Sequence, residues 1–504
     1  MYAGTSRATN LPDMLNAQQH GEYIFSALRN DGVAVSHPQY GSGASPVVPT
    51  TIQGYTRVVA PGSTDREPRV ATVRQPNGTN WFEEITRNAP TQNFDLSITN
   101  GNETGRYFLS ANYLNRQGIL NETGFKQGVT RLNSEFKIGE RITIGEHLNA
   151  SFSNQNEGTL ESINMAYRSS PLIPVFDDQG DFAGTGPAST GLSNTRNPVA
   201  LLSRGSDNYN KLFRVFGDMY LKAELYEGLS FKTTISGNIE NFTQRQFIKL
   251  DPEFSEPLAT NTLREQDINN WTWTWNNVLN YSTIIGDHNI NALVGIEAVE
   301  ESSKGKTISR TGYLFETPDF YLLNNGSGLP NVDAAFDGAN TLFSIFGTAN
   351  YSYKGKYFAT VTLRNDKSSR FLGDNQSQTF PSFSAGWLIS DEDFFPADGF
   401  VNRLKLKASY GELGNQTLPA SNPTINISSL NEQTANYALS GNALSTGAIL
   451  TQVGNPDLRW ETSVTTNIGF EMSMLDNELS VSFEYFDIDT KDLITPDLSL
   501  ISTT

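Results

Sequence analysis

In this 504-residue chain, the side chains that could take part in catalysis or bind a cation lie above all in short acidic segments. Glu83 and Glu84 are adjacent carboxylates, and general acid–base catalysis uses this residue type. Adjacent side chains point in different directions, however, and no second carboxylate can be placed at the separation that a glycosidase needs. A solvated helix or loop segment that is anchored by Trp81 therefore explains the pair better than catalysis does.

Two further acidic runs raise the question of cation binding. Asp177-Asp178-Gln179-Gly180-Asp181 places oxygen ligands around a glycine turn, which is the kind of site that Ca²⁺ prefers. The run lacks the full EF-hand pattern and its terminal bidentate Glu, so a plain turn is favoured and cation binding stays open. Asp391-Glu392-Asp393 is a charge run of the kind that usually lies in a solvated loop.

The composition excludes several classes of protein. The chain has 36 Lys plus Arg against 54 Asp plus Glu, a formal net charge of −18. A phosphate-binding surface needs a basic excess, so no nucleic-acid partner is expected. There are no cysteines, which excludes disulfides, thiolate metal sites and a cysteine nucleophile. The 4 histidines show no pair at metal spacing, and we predict neither a metal site nor a cofactor.

The elements that must position these residues are strands, because apolar residues recur with a period of two. Between Asn270 and Ile285 the residues Trp271, Trp273, Trp275, Leu279 and Tyr281 share one parity and polar residues take the other. A strand sends these two sets to opposite faces. The stretch is longer than the usual strand of about 5–6 residues in globular proteins. The same alternation recurs around Tyr107–Tyr113, Leu132–Ile138, Ile142–Phe152, Phe213–Leu225, Val464–Met472 and Leu479–Tyr485.

Short turns and long polar connections alternate between these strands. The predicted turns are rich in Gly, Asn and Asp, which tolerate positive φ: Asn100 to Glu103, Gly139-Glu140, Tyr226 to Gly228, Gly286 to His288, Lys354 to Lys356 and Leu475 to Asn477. The predicted long loops are Asn154 to Asn210, Glu240 to Ile268, Glu300 to Asn340 and Glu412 to Arg459. This pattern predicts about 14 strands between Asn93 and Ile488.

Long strands with one apolar and one polar face, joined alternately by short turns and long loops, indicate an antiparallel transmembrane β-barrel meander. A soluble sandwich is the alternative, but its strands are shorter. In a barrel the odd-numbered face from Trp271 to Ile285 should meet lipid. Aromatic residues near strand ends would form interfacial girdles: Tyr351, Tyr353, Tyr357, Phe358, Trp387 and Tyr410.

Aromatic residues could also bind a ligand. The Trp271/Trp273/Trp275 comb could stack sugar rings, yet its parity matches the apolar residues, so lipid or interface contact is favoured. Sugar or peptide contact suits loop aromatics better, and no single residue stands out among Tyr313, Phe315, Phe320, Tyr321 and Tyr437. The substrate-binding residues therefore stay unknown at this stage.

The order of several motifs resembles the SusC/RagA family of TonB-dependent outer-membrane transporters from Bacteroidetes-type bacteria. The matching segments span nearly the whole chain: Thr79–Ile85, Asn88–Asn93, Leu96–Thr99, Arg106–Tyr113, Gln117–Ile119, Thr123–Lys126, Arg364–Phe371, Phe380–Trp387, Leu404–Gly411, Gly414–Gln416, Asn455–Thr462 and Thr490–Ile494. No single motif is decisive, but their joint order makes the resemblance specific.

The resemblance implies a fold, a location and partners. Family members carry a signal peptide, a plug domain and a 22-stranded barrel, so this chain looks like an internal fragment that lacks the plug and the C-terminal strands. Residues 1–92 would follow the plug and first barrel strand, residues 93–494 would form a partial barrel, and residues 495–504 would begin the next loop. The implied location is the outer membrane, and no catalytic residue is expected.

The implied function is TonB-energised import of a large nutrient, an oligosaccharide or an oligopeptide. A SusD-like lipoprotein lid, the TonB complex acting through the missing N-terminal region, and membrane lipid would be the partners. The alternatives are a secreted β-rich binding module or adhesin, and a β-sandwich glycosidase that would need two facing carboxylates. We also expect a curved open meander, and we expect the long loops to lie on one side.

Overall fold

The computed structural model describes residues 1–60, 63–396, 399–418, 423–430, 436–440 and 443–495. Its helices are α1 (Ala17–Asn30), α2 (Trp81–Ile85), α3 (Glu161–Arg168) and α4 (Pro198–Arg204). Its strands up to residue 285 are β1 (Tyr2–Ser6), β2 (Ser36–His37), β3 (Gly41–Ser42), β4 (Thr56–Val58), β5 (Arg66–Pro68), β6 (Ala89–Gly101), β7 (Gly105–Gln117), β8 (Gly124–Ile138), β9 (Ile142–Asn156), β10 (Tyr209–Tyr226), β11 (Leu229–Ile248) and β12 (Thr262–Ile285). The later strands are β13 (His288–Thr311), β14 (Asn331–Tyr353), β15 (Tyr357–Ser368), β16 (Ser377–Leu388), β17 (Val401–Asn415), β18 (Ile427–Ser429), β19 (Asn436–Ser440), β20 (Ala443–Thr446), β21 (Ile449–Gln452), β22 (Glu461–Met474) and β23 (Leu479–Lys491).

One antiparallel sheet dominates the fold. Within the described residues it has 15 strands in the order β1, β6 to β17, β22 and β23. Consecutive long strands pair with each other, and β1 and β23 form the two edges. The fold class predicted from the sequence, including the open meander, is therefore confirmed. The 14 strands β6 to β17, β22 and β23 of this sheet match the predicted number, and the prediction lacks β1.

The first edge strand lies in the segment that was expected to follow the first barrel strand. Tyr2–Ser6 pairs with Asn93 to Ala89 in antiparallel register. It is only 5 residues long, each of them exposed, and it carries no alternation of apolar residues that would reveal it in the sequence. The segment 7–88 then returns from this edge to the start of β6.

The central strands are longer than a membrane crossing requires. β12 and β13 each have 24 residues, whereas a strand crosses the bilayer in about 9–11 residues. Two of the predicted long loops are consequently too long. The connection between β11 and β12 is residues 249–261, not Glu240 to Ile268, and that between β13 and β14 is residues 312–330, not Glu300 to Asn340. The remaining residues of these two predicted loops belong to strands β11 to β14.

The connections divide into two rims, as the sequence predicts. The short ones are residues 102–104, 139–141, 227–228, 286–287, 354–356 and 475–478, and the longer 389–400 falls on the same rim. The other rim carries 7–88, 118–123, 157–208, 249–261, 312–330, 369–376 and 416–460. Because each long strand reverses direction, the long loops share one side of the sheet. We call the two edges the turn rim and the loop rim.

The largest buried core lies in the loop rim and not in the sheet. It joins side chains from segment 7–88 to side chains from segment 157–208, and its members include Phe25, Tyr40, Tyr55, Trp81, Ile85, Leu172, Ile173 and Leu202. We call these two packed segments the loop body. In the described ranges no helix is both long and apolar enough to span a bilayer.

Candidate functional site

The loop body begins with a well-capped helix. Asn16 caps α1, and its side chain accepts a hydrogen bond from the Gln19 backbone N–H while the Gln19 side chain accepts one from Asn16, a capping box. On the buried face of the helix the Tyr40 hydroxyl donates to the Ala17 carbonyl over 2.8 Å and lies 2.9 Å from His20 Nδ1. Burial, with a smaller contribution from His37, lowers the pKa of His20.

Glu83 and Glu84 lie in the first turn of α2 and do not form an acid pair. Glu83 is exposed, and Glu84 pairs with Arg74 over 2.7 Å. Trp81 is buried, and its indole N–H donates to the Ser170 carbonyl over 3.2 Å. The helix is therefore an anchored structural element of the loop body, as the sequence favoured.

The acidic run at Asp177 forms a turn in which each of the three carboxylates has at least one partner within the protein. Asp177 accepts backbone hydrogen bonds from Gln179 and Asp181, each over 3.0 Å. Gly180 takes a φ of +88°, which the turn requires. Asp181 pairs with Arg57 over 2.6 Å. Among the described residues no cluster of three or more metal-ligating side chains is found.

Buried ion pairs tie the loop body to the connection between β11 and β12. Arg204 of α4 forms a bidentate pair with Glu253, with N–O distances of 2.7 and 2.9 Å. Arg196 pairs with Asp251 over 2.8 Å. The side chains of Glu253 and Asp251 are 1% and 4% exposed. Sequence reasoning missed this network, because its members are far apart in the chain and belong to no recognisable motif.

The loop aromatics divide into buried and exposed groups. Tyr313 and Tyr321 are buried with Phe247 and Leu263, and the Tyr321 ring stacks on Phe247 with centroids 3.9 Å apart. These two tyrosines stabilise the tip of the sheet and cannot offer a face to a ligand. The rings of Phe315 and Phe320 are exposed and contact each other, with centroids 4.7 Å apart. The Tyr437 side chain lies outside the described residues.

The outward face of β12 and β13 changes character at one row of the sheet. Below this row, towards the turn rim, the exposed cross-strand pairs are apolar, for example Leu279 of β12 and Val294 of β13. At the row itself the Trp273 indole donates to Glu300 over 3.2 Å. Above it the same face carries charges, as in the pair Lys304 and Asp337 at 2.8 Å. An apolar band bounded by aromatics is the pattern of a lipid-facing barrel surface.

The turn rim carries the second aromatic band. The rings of Tyr353, Tyr357 and Trp387 follow one another on the outward face, with centroids 6.3 and 6.4 Å apart. Phe358 of the predicted girdle is an exception. It alternates to the other face, where its ring lies 4.8 Å from the Lys405 ammonium. The girdle prediction is therefore wrong for Phe358. Because Phe358 follows Tyr357 directly in β15, its side chain points to the opposite face of the sheet.

Glu392 is anchored rather than freely solvated. Its carboxylate accepts hydrogen bonds from the Tyr357 hydroxyl over 2.6 Å and the Trp387 indole over 3.0 Å, and Lys356 lies 3.5 Å away. These contacts, led by that of Tyr357, lower the pKa of Glu392. Through Glu392, the run Asp391-Glu392-Asp393 attaches the 389–400 connection to β15 and β16. The interpretation of this run as a solvated loop did not include these contacts. Lys354-Gly355-Lys356 forms the predicted hairpin turn.

The inward face of the sheet is polar and cross-linked. Arg364 of β15 contacts Glu297 of β13 over 3.0 Å, Asp366 over 2.7 Å and the Ser344 hydroxyl over 2.8 Å. Asn276 of β12 donates to the same Glu297 over 3.2 Å. This network was not predicted as a site. A partial signal was present, because all five residues have the parity opposite to most of the apolar residues of their strands.

An antiparallel sheet with an apolar outward band, two aromatic girdles and a polar inward face defines a β-barrel protein of the bacterial outer membrane. Residues 149–504 match the family described as TonB dependent receptor-like, beta-barrel, and the chain belongs to this family. Its members are receptors and transporters and not enzymes, and their location is the outer membrane.

Among the relatives is the TonB-dependent receptor P26 of Formosa agariphila, which is 30% identical over 425 residues, 82% of this chain and 41% of the relative. The TonB-dependent receptor SusC of Bacteroides thetaiotaomicron is 25% identical over 439 residues, 82% of this chain and 42% of the relative. The chain thus spans about two fifths of the length of these relatives.

A solved structure shares the fold. The RagAB peptide importer in its closed-closed state matches with a TM-score of 0.71 and 22% identity, over 97% of this chain and 54% of that chain. The similarity to SusC confirms the resemblance to the SusC/RagA family that the motifs indicate.

Proposed function

We propose that this chain is part of an importer of large nutrients, an oligosaccharide or an oligopeptide, across the outer membrane. The observation that carries the proposal is the loop rim, in which 7–88 and 157–208 pack into a body with its own core. A barrel needs no such body to close its strands, and excess loop structure in a barrel usually serves binding.

The expected chemistry is non-covalent. The inward face offers amides, hydroxyls and paired charges, such as Asn276, Ser344 and the Arg364–Glu297 pair. Such a surface suits a hydrated ligand with many hydroxyl or amide groups, because weak hydrogen bonds can be exchanged as the ligand moves. The exposed Phe315–Phe320 pair adds an apolar contact on the loop rim.

The partners follow from the similarity to SusC and RagAB. RagAB is named as a peptide transporter, and its likeness in fold supports a two-protein arrangement for this chain. We propose a SusD-like lipoprotein that covers the loop rim. Energy from the TonB complex would act through a plug domain. Residues 93–494 would belong to the barrel wall, together with β1 and the first residues of β6.

Gene disruption tests the function directly. The natural gene that contains this chain would be deleted, and growth of the mutant would be compared on oligosaccharides and on oligopeptides as sole nutrients. We expect loss of growth on one nutrient class, restoration by the intact gene, and the same defect in a strain without TonB. Unchanged growth on every large nutrient would reject import as the function.

A further inference from the structure

A row of exposed aromatic rings marks the upper edge of the apolar band on β6 to β10. Phe94, Tyr113, Phe152 and Phe213 stand at one register level on the outward face, and each is 42–48% exposed. On β9 the span from Ile142, next to the turn rim, to Phe152 contains 11 residues, and a tilted strand crosses the bilayer in about 9–11 residues. The row is therefore an interfacial girdle, and the next outward row above it lies at the depth of lipid headgroups.

This next row carries two lysines and no carboxylate. It consists of Gln92, Asn115, Lys126, Asn154, Lys211 and Thr243. Asn154 is the direct cross-strand partner of both lysines, so the Cα atoms of the lysines are about 10 Å apart. The Lys211 ammonium lies 4.0 Å from the centre of the Tyr209 ring. In the described part of the chain, no carboxylate oxygen lies within 4.0 Å of either ammonium.

Outward lysines elsewhere in the sheet are neutralised by acids. On β13, Lys304 lies 2.8 Å from Asp337, and Lys306 lies 3.9 Å from Asp267. The chain also carries 54 acidic residues against 36 Lys plus Arg, so a stretch of surface with two cations and no acid runs against its composition. Lys126 and Lys211 therefore keep N–H donors for an external anion, and lysine is a common phosphate ligand.

An open cavity offers space for a headgroup beside this row. It has a volume of about 430 Å³, and its lining includes Asn115, Lys126 and Asn154. Two carboxylates also line it. Asp207 pairs with Lys249 over 2.8 Å, and Glu122 of the loop rim lies more than 4.0 Å from the Lys126 ammonium. The positive charge of Lys126 thus remains available to a ligand in the cavity.

The aromatic girdle has a gap directly below Lys126. Gly128 lies two positions from Lys126 on the same face of β8, and its cross-strand partners are Tyr113 and Phe152. Glycine has no side chain, and a Cβ added at Gly128 would meet no atom within 4 Å. The backbone is therefore open to the membrane between two exposed rings, and an apolar chain that leaves a headgroup at Lys126 can lie against it.

We propose that this surface is a specific site for one membrane lipid with an anionic, phosphate-bearing headgroup, an inference that needs only the outer-membrane location and goes beyond import. The phosphate contacts the Lys126 and Lys211 ammonium groups and the Asn154 amide between them. One acyl chain passes through the gap at Gly128, between the rings of Tyr113 and Phe152. The lysines select for negative charge, and the gap selects for a lipid over a free anion.

Lipid retention in the purified natural protein that contains this chain tests the proposal. The protein would be exchanged into an equal mixture of phosphatidylglycerol and phosphatidylcholine with the same acyl chains, and bound lipid would be counted by native mass spectrometry. We expect selective retention of phosphatidylglycerol, and about tenfold weaker binding by the Lys126→Gln, Lys211→Gln double variant. Gly128→Leu should close the gap in the girdle and also weaken retention, although it keeps both lysines.

Each test variant has a matched control. The double variant Lys304→Gln, Lys306→Gln removes two outward cations that already pair with acids, and Gly237→Leu adds the same side chain at another open glycine of the outward face. Both controls should retain the lipid, and heat-modifiable migration should show that all variants are folded. Equal retention by the natural protein and by both test variants, or equal retention of the two lipids, would overturn the proposal. Competition by inorganic phosphate at the concentration of the lipid would show a free-anion site and would overturn the assignment to a lipid.

Discussion

Trp273 of β12 donates its indole N–H to Glu300 of β13, its direct cross-strand partner, over 3.2 Å. The pair stands at the row where the outward face passes from apolar to charged residues. A tryptophan at a membrane interface combines an apolar ring with a polar N–H that needs a partner. Glu300 supplies that partner one row below Trp271, the last apolar row of the lipid-facing band.

This boundary predicts the effect of a charge below it. Leu279→Arg places a cation on the lipid-facing side of the band, which costs about 2–4 kcal/mol at the bilayer midplane. The variant of the intact natural protein should give less heat-modifiable barrel in the outer membrane. Asn280→Arg is the matched control, because the adjacent side chain points to the polar face. Equal assembly of both variants would reject the orientation.

The Arg204–Glu253 pair should decide the stability of the loop body. Arg204→Ala leaves the Glu253 carboxylate, 1% exposed, without its partner. Removing one partner of a buried pair costs about 3–5 kcal/mol. We expect faster protease cleavage within 157–208 while the barrel stays folded. Arg74→Ala breaks the exposed pair with Glu84 and should change the cleavage rate little.

Acidification should loosen the same body around α1. Burial lowers the pKa values of His20 and His37 below the ordinary value of 6.5. The unfolded segment then binds protons more readily than the folded one, so the contribution to stability is present above about pH 6.5 and is lost as the pH falls through the folded pKa values. Cleavage of 7–88 by a protease should accelerate between pH 7.5 and pH 5, after correction for protease activity. The double variant His20→Asn, His37→Asn should flatten this dependence, and an equal acceleration in it would assign the effect to other groups.

Substitutions in the turn rim should affect folding of the barrel and not binding of the ligand. Gly286 has a φ of +58° in the two-residue connection between β12 and β13. A β-branched residue there should cost roughly 1–2 kcal/mol. Gly286→Val should slow assembly and leave the specific uptake of each assembled barrel unchanged. Gly338→Val, at a strand glycine with an ordinary φ and open space around it, is the control. Normal assembly of Gly286→Val would show that this turn tolerates the strain.

The sheet could be predicted from the sequence because period-two alternation and turn residues are local signals. The extended tips of β11 to β14 were mistaken for loops, since above Trp271 both faces are polar and the alternation disappears. The loop body could not be predicted, because its core joins residues such as Tyr55 and Leu172 that are distant in sequence. Burial of Tyr313 and Tyr321 depends on the same long-range packing and left no local signal.

The measurement that tests the central claim most directly compares shortened loops in the intact natural protein. Deletion of 419–453 keeps β17, β22 and the buried Trp460, whereas removal of the whole predicted loop Glu412 to Arg459 would cut into the end of β17. Co-purification of the lid lipoprotein and uptake of the cognate nutrient would be measured for this variant and for shortened 157–208 and 312–330. We predict loss of lid docking or of uptake, with normal amounts of heat-modifiable barrel. If every shortened variant still bound the lid and took up the nutrient, the assignment of capture to the loop rim would be contradicted.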